Sequence, residues 1–180
     1  IGRSRAGRYG DYVYQVDFSV GQIMAALKRL NLENDTLLLF TSDNGSPQRD
    51  GTDMSGPVGS VKRRYGHDPS RPWRGLKGDI WEAGHRVPFI ARWPGEIPAG
   101  AVCTELICLT DIMATCAALV NYELPADAGE DSFNILPVFQ AGPRSRPVRR
   151  DIVLHSANGT FAIRSGPWKL ILGRGSGGFS

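Results

Sequence analysis

Residues 36–45, TLLLFTSDNG, contain the pattern that decides the predicted fold. Residues 37–40 are apolar without interruption, which is typical of a central strand that is covered on both faces in a parallel α/β sheet. Ligands of open α/β sheets gather beyond the carboxyl ends of such strands. Asp43 and Asn44 lie at this end and offer the hard oxygen atoms that Ca²⁺ and Mg²⁺ bind, and Gly45 lets the backbone turn. Taken alone, the stretch is explained more simply as a strand that runs into an Asx/Gly turn.

The composition indicates one globular domain. The chain has 180 residues, of which 41% are hydrophobic and 22% are charged, enough for a sizeable core. The net charge is +3, but the basic residues form neither a basic helix nor an aromatic-interleaved motif, so no nucleic-acid partner is expected. No apolar run approaches the roughly 18 residues of a membrane span, and no membrane partner is expected either.

The three cysteines do not assign a redox compartment. Cys103, Cys108 and Cys116 form neither a CxxC pair nor an even set. Buried thiols are the expected state, and one disulfide with one remaining thiol is the alternative.

Periodicity places a helix directly before the apolar strand. Apolar residues recur every three to four positions from about 12 to 30, which predicts one buried face, with Asp11 as the cap. A helix that leads straight into a buried strand is the αβ half of a βαβ unit. We expect the segment 87–93 to be a neighbour of 37–43 in, or close to, one mostly parallel sheet, with the helix packed on a face.

The rest of the chain divides into loops, one further helix and a terminal sheet. Residues 46–71 show no periodic apolar pattern, and a loop of this length is usually functional or disordered. Trp73 and Trp81, which follow, are interpreted either as walls of a sugar or aryl pocket or as packing under the loop. Thr110 or Asp111 caps a predicted helix that ends near 120. Three short strands, separated by turn residues, predict a small antiparallel sheet at 151–155, 160–164 and 168–172.

Several motifs, taken in order, point to one family. They are YGD at 9–11, LLFTSDNG at 38–45, LKGDIWEAGHRVP at 76–88, RWPG at 92–95, TDI at 110–112, GTFAIR at 159–164 and WKLI at 168–171. This ordered set resembles the type I sulfatases, which are arylsulfatase-like members of the alkaline-phosphatase superfamily. The resemblance covers nearly the whole chain.

The resemblance implies a fold and a division of the chain. The fold is α/β and alkaline-phosphatase-like, with a mostly parallel sheet flanked by helices and a small C-terminal antiparallel sheet. Residues 1–122 correspond to the C-terminal part of the catalytic domain, and residues 123–180 to a connecting segment and the small β subdomain. Secretion, a periplasmic location or a lysosomal location is expected.

The resemblance also implies an activity, sulfuric ester hydrolysis, on a sulfated small molecule or glycan. The family's nucleophile is a formylglycine made from the cysteine of a C-x-[PA]-S-R signature, and no cysteine here is followed by that signature. We therefore expect the nucleophile to lie in an N-terminal part before residue 1, and residues 1–180 alone to be inactive.

Four residues are candidates for the site on the basis of the resemblance. Asp43 and Asn44 match two ligands of a divalent cation, usually Ca²⁺, with Mg²⁺ or another divalent ion as the alternative. Lys77 matches the lysine that contacts the substrate sulfate. His85 is either a substrate contact or, more simply, a structural residue. The sequence departs from the family pattern after the lysine, where it has Gly-Asp-Ile, and at Ala83, where a glycine is usual.

Two other functions fit the same residues. A phosphonate or phosphate ester hydrolase of the same superfamily is one, because a metal ion and a lysine suit either tetrahedral anion. A non-catalytic module that kept the fold and binds an anion or a carbohydrate is the other.

Overall fold

The computed structural model describes residues 2–52, 56–140 and 146–180, and within these ranges it contains five helices and five strands. The helices are α1 (Gly7–Arg29), α2 (Ser60–Tyr65), α3 (Glu82–His85), α4 (Asp111–Leu119) and α5 (Leu136–Phe139). The strands are β1 (Leu38–Thr41), β2 (Phe89–Arg92), β3 (Asp151–His155), β4 (Phe161–Ser165) and β5 (Trp168–Ile171).

Strands β1 and β2 pair with each other, as predicted, but they run antiparallel. Leu38 lies opposite Arg92 and Thr41 lies opposite Phe89. The described ranges hold no parallel pair, so the expected mostly parallel arrangement is not found among them. The reason is that an uninterrupted apolar run indicates cover on both faces of a strand and says nothing about the direction of its neighbour.

Helix α1 forms, but its apolar face does not pack on the β1–β2 sheet. Of the residues on this face, Val13 is 50% exposed, Ile23 50% and Leu30 59%, and no residue of the helix is buried. A helical period shows which face needs cover and cannot show which element provides it. None of the helices in the described ranges is long and apolar enough to cross a membrane.

Asp11 is not the cap of α1. The helix begins at Gly7, several residues earlier than predicted, so Asp11 lies inside it. Its carboxylate instead accepts the backbone N–H groups of Gly2, Arg3 and Ser4. These bonds favour the charged form and lower the pKa of Asp11.

One group of buried apolar residues lies in and beside the segment that follows the long loop. Val61 and Ile80 are fully buried, and Leu76 and Ala83 nearly so. Val61 belongs to α2, a helix that the sequence did not reveal, with left-handed glycines at both ends, Gly59 and Gly66. The loop 46–71 is thus partly helical and packs against the segment that carries Lys77.

The C-terminal sheet is confirmed. Strands β3, β4 and β5 pair antiparallel in chain order. Gly159 and Gly166 adopt positive φ in the turns between them, a conformation that glycine reaches without steric cost. The inward positions Ile152 and Ala162 are buried, whereas Trp168 on the other face is 80% exposed.

A buried ion pair fixes α4 to the chain that leads into this sheet. Asp111 is fully buried, and its carboxylate binds the guanidinium of Arg149, which is 7% exposed. The same carboxylate accepts the N–H of Cys108 at 2.7 Å and that of Phe133 at 3.0 Å. Asp111 therefore acts as a junction of three segments, whereas Thr110 occupies the cap position without a side-chain capping bond.

The cysteines are less buried than predicted. Cys103 and Cys116 are exposed, Cys108 is half-buried, and the three sulfurs form no disulfide with one another. Cys116 is part of α4 and is exposed, although its neighbours Thr115 and Ala117 are buried.

We predict that Arg149→Ala lowers the free energy of unfolding by about 3–5 kcal/mol, because it leaves the buried charge of Asp111 without its partner. Arg150→Ala is the matched control: Arg150 is exposed, and its loss changes stability by about 0.5 kcal/mol or less. Urea unfolding measures both variants. Equal stability of the two would show that the ion pair is not a junction.

Candidate functional site

The polar end of β1 forms a short turn at the protein surface. Asp43 is exposed and Asn44 is half-buried. The Ser42 hydroxyl donates to the Asn44 carbonyl at 3.1 Å, and the Asn44 side-chain amide donates to the Gly45 carbonyl at 3.2 Å. The turn is therefore held by local bonds that leave the Asp43 carboxylate facing solvent.

Gly45 is required by a close approach of two backbones. Its N–H donates to the Gly84 carbonyl at 3.1 Å, and a Cβ at this position would overlap the carbonyl oxygen of Ala83. The φ of Gly45 is not in the left-handed region, so space and not conformation demands glycine here. Helix α3 thereby packs directly on the end of β1.

Lys77 lies beside the same turn. Its backbone N–H donates to the carbonyl of Ser46 at 3.0 Å, two residues after Asn44. Its side chain is exposed and lines a cavity of about 300 Å³, together with Pro47, Arg49, Val58, Leu76 and Phe179. The structure thus brings the backbone of Lys77 next to the turn that carries Asp43 and Asn44, which lie more than 30 positions earlier in the sequence.

Asp79 lies behind Lys77 and was not singled out by the sequence analysis. It is fully buried, and its carboxylate accepts the N–H of Leu76 at 2.9 Å, of Phe179 at 2.9 Å and of Ser180 at 3.1 Å. Two of these donors are about 100 residues away in sequence. An acid among glycines signals only a turn, so no pattern in the sequence could have revealed this contact.

His85 joins two parts of the chain. Its Nε2 lies 3.0 Å from the carbonyl oxygen of His155 at the end of β3. Its Nδ1 is buried and has no hydrogen-bond partner in the described ranges. The contact with His155 favours the structural interpretation of His85 over a substrate contact.

Glu82 forms a second link between α3 and the C-terminal sheet. It is paired with Arg164 of β4, its carboxylate lies 3.7 Å from the Lys169 ammonium of β5, and it reaches Arg86 at 3.4 Å. Burial lowers the pKa of Lys169, and Glu82 opposes that effect. Together with His85, this cluster attaches the turn that packs on β1 to the terminal sheet.

The two tryptophans pack against arginines. The Arg74 guanidinium lies 3.6 Å from the centre of the Trp81 ring, and that of Arg86 lies 4.1 Å from the centre of the Trp73 ring. Neither ring is among the residues that line the cavity beside Lys77. Of the two interpretations from sequence, packing is the one that the geometry favours.

Asp50 organises the loop between the turn and Lys77. It is fully buried, accepts the hydroxyl of Thr52 at 2.7 Å and forms an ion pair with Arg64 at 3.1 Å. The Thr52 hydroxyl, and after it the Thr52 N–H and the Arg64 charge, lower the pKa of Asp50 against the effect of burial. The carboxylate form is therefore favoured in the folded loop.

The turn has the right kind of atoms for a hard cation but few of them. Asp43 and Asn44 supply a carboxylate and an amide oxygen, whereas Ca²⁺ takes six to eight oxygen ligands. Across residues 2–52, 56–140 and 146–180, no group of three or more His, Cys, Asp or Glu side chains is placed to hold a metal ion. These two residues can therefore contribute to a site and cannot complete one.

Comparisons with known proteins give one consistent result. Residues 3–122 match the family model described as Sulfatase. An N-acetylgalactosamine-6-O-sulfatase of Bacteroides thetaiotaomicron is 38% identical over 170 residues, which are 94% of this chain and 32% of that protein. A steryl-sulfatase of Mus musculus is 40% identical over 139 residues, which are 77% of this chain and 21% of that protein. The chain thus spans a third or less of the length of these relatives.

Solved structures agree with the sequence comparisons. A Bacteroides thetaiotaomicron sulfatase, solved in work on the metabolism of multiple glycosaminoglycans, superposes with a TM-score of 0.81 at 37% identity, covering 94% of this chain and 34% of that one. A sulfatase from Pseudoalteromonas sp. gives 0.69 at 29% identity, covering 92% and 34%. The likeness confirms the predicted alkaline-phosphatase-like α/β fold.

We predict that Gly45→Ala lowers the free energy of unfolding by about 1–3 kcal/mol, because the added methyl group overlaps the Ala83 carbonyl. The matched control is Gly21→Ala in α1, where a Cβ meets nothing within 4 Å. There alanine stabilises by about 0.5–1 kcal/mol, because glycine is the poorer helix former. Thermal unfolding distinguishes the two, and equal effects would contradict the close approach at Gly45.

A second prediction concerns acid stability. The pKa of Asp50 is lowered in the folded protein from its ordinary value of 3.8. The charged carboxylate therefore contributes to the free energy of unfolding fully above pH 3.8, and this contribution is lost as the pH falls through the lowered pKa. Thr52→Val removes the hydroxyl bond, so the pKa of Asp50 rises and acid unfolding begins at higher pH. Urea unfolding at a series of values between about pH 2 and pH 6 measures the shift. An unchanged pH dependence in Thr52→Val would show that this bond does not hold the loop.

Proposed function

Because this chain belongs to the sulfatase family, we propose that it contributes the metal-binding and sulfate-binding part of a sulfuric ester hydrolase. One observation supports the proposal: the Lys77 N–H donates to the Ser46 carbonyl at 3.0 Å, so the backbone of Lys77 lies next to the turn that carries Asp43 and Asn44. The family match supports a sulfate over a phosphate or phosphonate ester and an enzyme over a binding module.

Asp43 and Asn44 hold part of the cation site in this proposal. Their side-chain oxygens suit Ca²⁺, with Mg²⁺ or another divalent ion as the alternative. Because two ligands fall short of the six to eight that Ca²⁺ takes, further oxygen ligands complete the site. A bound divalent cation supplies Lewis-acid stabilisation of the negative sulfate oxygens. The exposed position of Asp43 leaves its carboxylate accessible to that ion.

Lys77 supplies the second positive charge. Cleavage of the S–O bond builds negative charge on the leaving oxygen, and preorganised cations stabilise such charge strongly in a site that excludes water. An ammonium group acts as a compact point charge, and Lys77 is one of the residues that line the cavity. Lys77 therefore binds the sulfate and orients it toward the cation site.

The attacking residue is supplied from outside residues 1–180. The family's formylglycine arises from a cysteine with a C-x-[PA]-S-R signature, and Cys103, Cys108 and Cys116 lack it. The proposal therefore assigns binding and charge stabilisation to this chain and bond formation to the rest of the protein. Residues 1–180 alone are expected not to turn over a sulfate ester.

The proposed substrate is a sulfated glycan, with a sulfated small molecule as the alternative. This preference rests on the bacterial N-acetylgalactosamine-6-O-sulfatase, which matches 94% of this chain, whereas the steryl-sulfatase matches 77%. A secreted, periplasmic or lysosomal location stays a prediction.

We predict that Lys77→Ala in the complete protein lowers the turnover of a generic aryl sulfate by about 10²–10³, by analogy with the loss of one oxyanion donor. Lys77→Arg restores little of the lost turnover, because the planar guanidinium group of arginine does not replace the compact ammonium charge of lysine at the same position. Steady-state kinetics measure both variants.

Lys62→Ala is the control for the loss of a lysine. Lys62 lies on α2, is 60% exposed and pairs with Asp68 at 2.8 Å, so its removal leaves turnover within about twofold. A Lys77→Ala protein as fast as the Lys62→Ala protein would contradict the role of Lys77, as would robust turnover by residues 1–180 alone.

A further inference from the structure

Residues 176–180 lie directly against the loop that carries Lys77, and the carboxylate of Asp79 holds the two together. One oxygen of Asp79 accepts the N–H groups of Phe179 and Ser180 at 2.9 and 3.1 Å. The other accepts the Ser180 hydroxyl and, at 2.9 Å, the N–H of Leu76, the residue before Lys77. Asp79 is fully buried, and these four bonds use both of its oxygens.

Backbone bonds strengthen the same contact on the other side of Lys77. The Ile80 N–H donates to the Ser176 carbonyl at 2.7 Å, and the carbonyl of Gly78 accepts the Ala157 N–H at 2.8 Å. A Cβ on Gly178 would overlap the Gly78 carbonyl, so the two backbones touch. Both neighbours of Lys77 in the chain, Leu76 and Gly78, are therefore fixed.

The segment also forms part of the wall beside the lysine. The Phe179 side chain lines the same cavity as Lys77. Its ring lies so close to the loop that a Cβ on Gly78 would be 2.8 Å from it. The loop consequently has no room to move toward Phe179, and the Lys77 side chain extends from an anchored backbone.

We propose that Asp79 is a positioning residue for Lys77: its buried carboxylate fixes the lysine backbone against residues 176–180 and so sets where the ammonium group meets the anion. Bonds to a charged acceptor are roughly twice as strong as neutral ones, which makes the carboxylate a firm anchor for four donors. A displacement of about 1 Å costs up to about 10²-fold in rate, so anchoring matters for a group that acts through its position. The inference rests on the proposed sulfate-binding role of Lys77.

The test combines Asp79→Asn with Lys77→Ala in the complete protein. The amide keeps the size of the side chain but turns one acceptor oxygen into a donor that faces N–H groups. The measured quantity is the inhibition constant of inorganic sulfate, with kcat and KM for an aryl sulfate determined alongside. We expect Asp79→Asn to weaken sulfate inhibition about tenfold or more when Lys77 is present. In the Lys77→Ala background the same substitution changes it less than about twofold, because the lysine through which Asp79 acts is gone.

Asp111→Asn is the matched control. Asp111 is also fully buried and also accepts backbone N–H groups, but its partners Cys108, Phe133 and Arg149 belong to other segments. We expect Asp111→Asn to lower the melting temperature without changing the inhibition constant of sulfate. A structural loss at Asp79 would behave in the same way.

The outcomes separate this inference from the proposed function. Equal effects of Asp79→Asn in the two backgrounds, or no effect in either, overturn the positioning role of Asp79. The sulfate-binding role of Lys77 is not affected by that result. An unchanged inhibition constant in Lys77→Ala overturns both. Should Asp79→Asn fail to fold, Ser180→Ala carries the test, because it removes the hydroxyl donor alone. We expect Ser180→Ala to weaken sulfate inhibition about threefold when Lys77 is present and to leave it unchanged in the Lys77→Ala background. If the two backgrounds respond equally, the inference is overturned.

Discussion

The contact between the backbones of Gly45 and the Ala83–Gly84 turn is the constraint on which the candidate site depends. It allows α3 to lie against the end of β1, and the segment that leads into α3 bonds the Ser46 carbonyl through the N–H of Lys77. Any side chain at Gly45 would separate the two segments. The polar turn and the lysine therefore keep their relative positions because of a residue that itself has no chemistry to offer.

Buried acids stabilise the irregular segments around this contact. Asp50, Asp79 and Asp111 are all fully buried, and each gathers N–H or O–H donors from parts of the chain without regular structure. A buried carboxylate is costly unless its oxygens are bonded, so each also specifies one arrangement of its loop. Glycines serve the same end by letting backbones touch. The arrangement of the site thus depends on loops that these bonds and close backbone contacts hold together.

The sequence allowed the prediction of those features that depend on local patterns and on the order of the motifs. The strand before Asp43, the three C-terminal strands and the family followed from apolar runs, turn residues and the order of the motifs. The direction of β2, the exposed face of α1 and the bonds of Asp79 did not follow, because each depends on which distant segment lies alongside. The metal and sulfate roles of Asp43, Asn44 and Lys77 stay predictions. So does the boundary near residue 122.

A crystal structure of the complete protein with calcium and inorganic sulfate tests the central claim most directly. The account predicts that side-chain oxygens of Asp43 and Asn44 lie about 2.3–2.6 Å from one cation. It also predicts that the Lys77 ammonium lies about 2.7–2.9 Å from an oxygen of a sulfate ion next to that cation. A cation held without Asp43 and Asn44, or a sulfate bound there with Lys77 turned away, would contradict it.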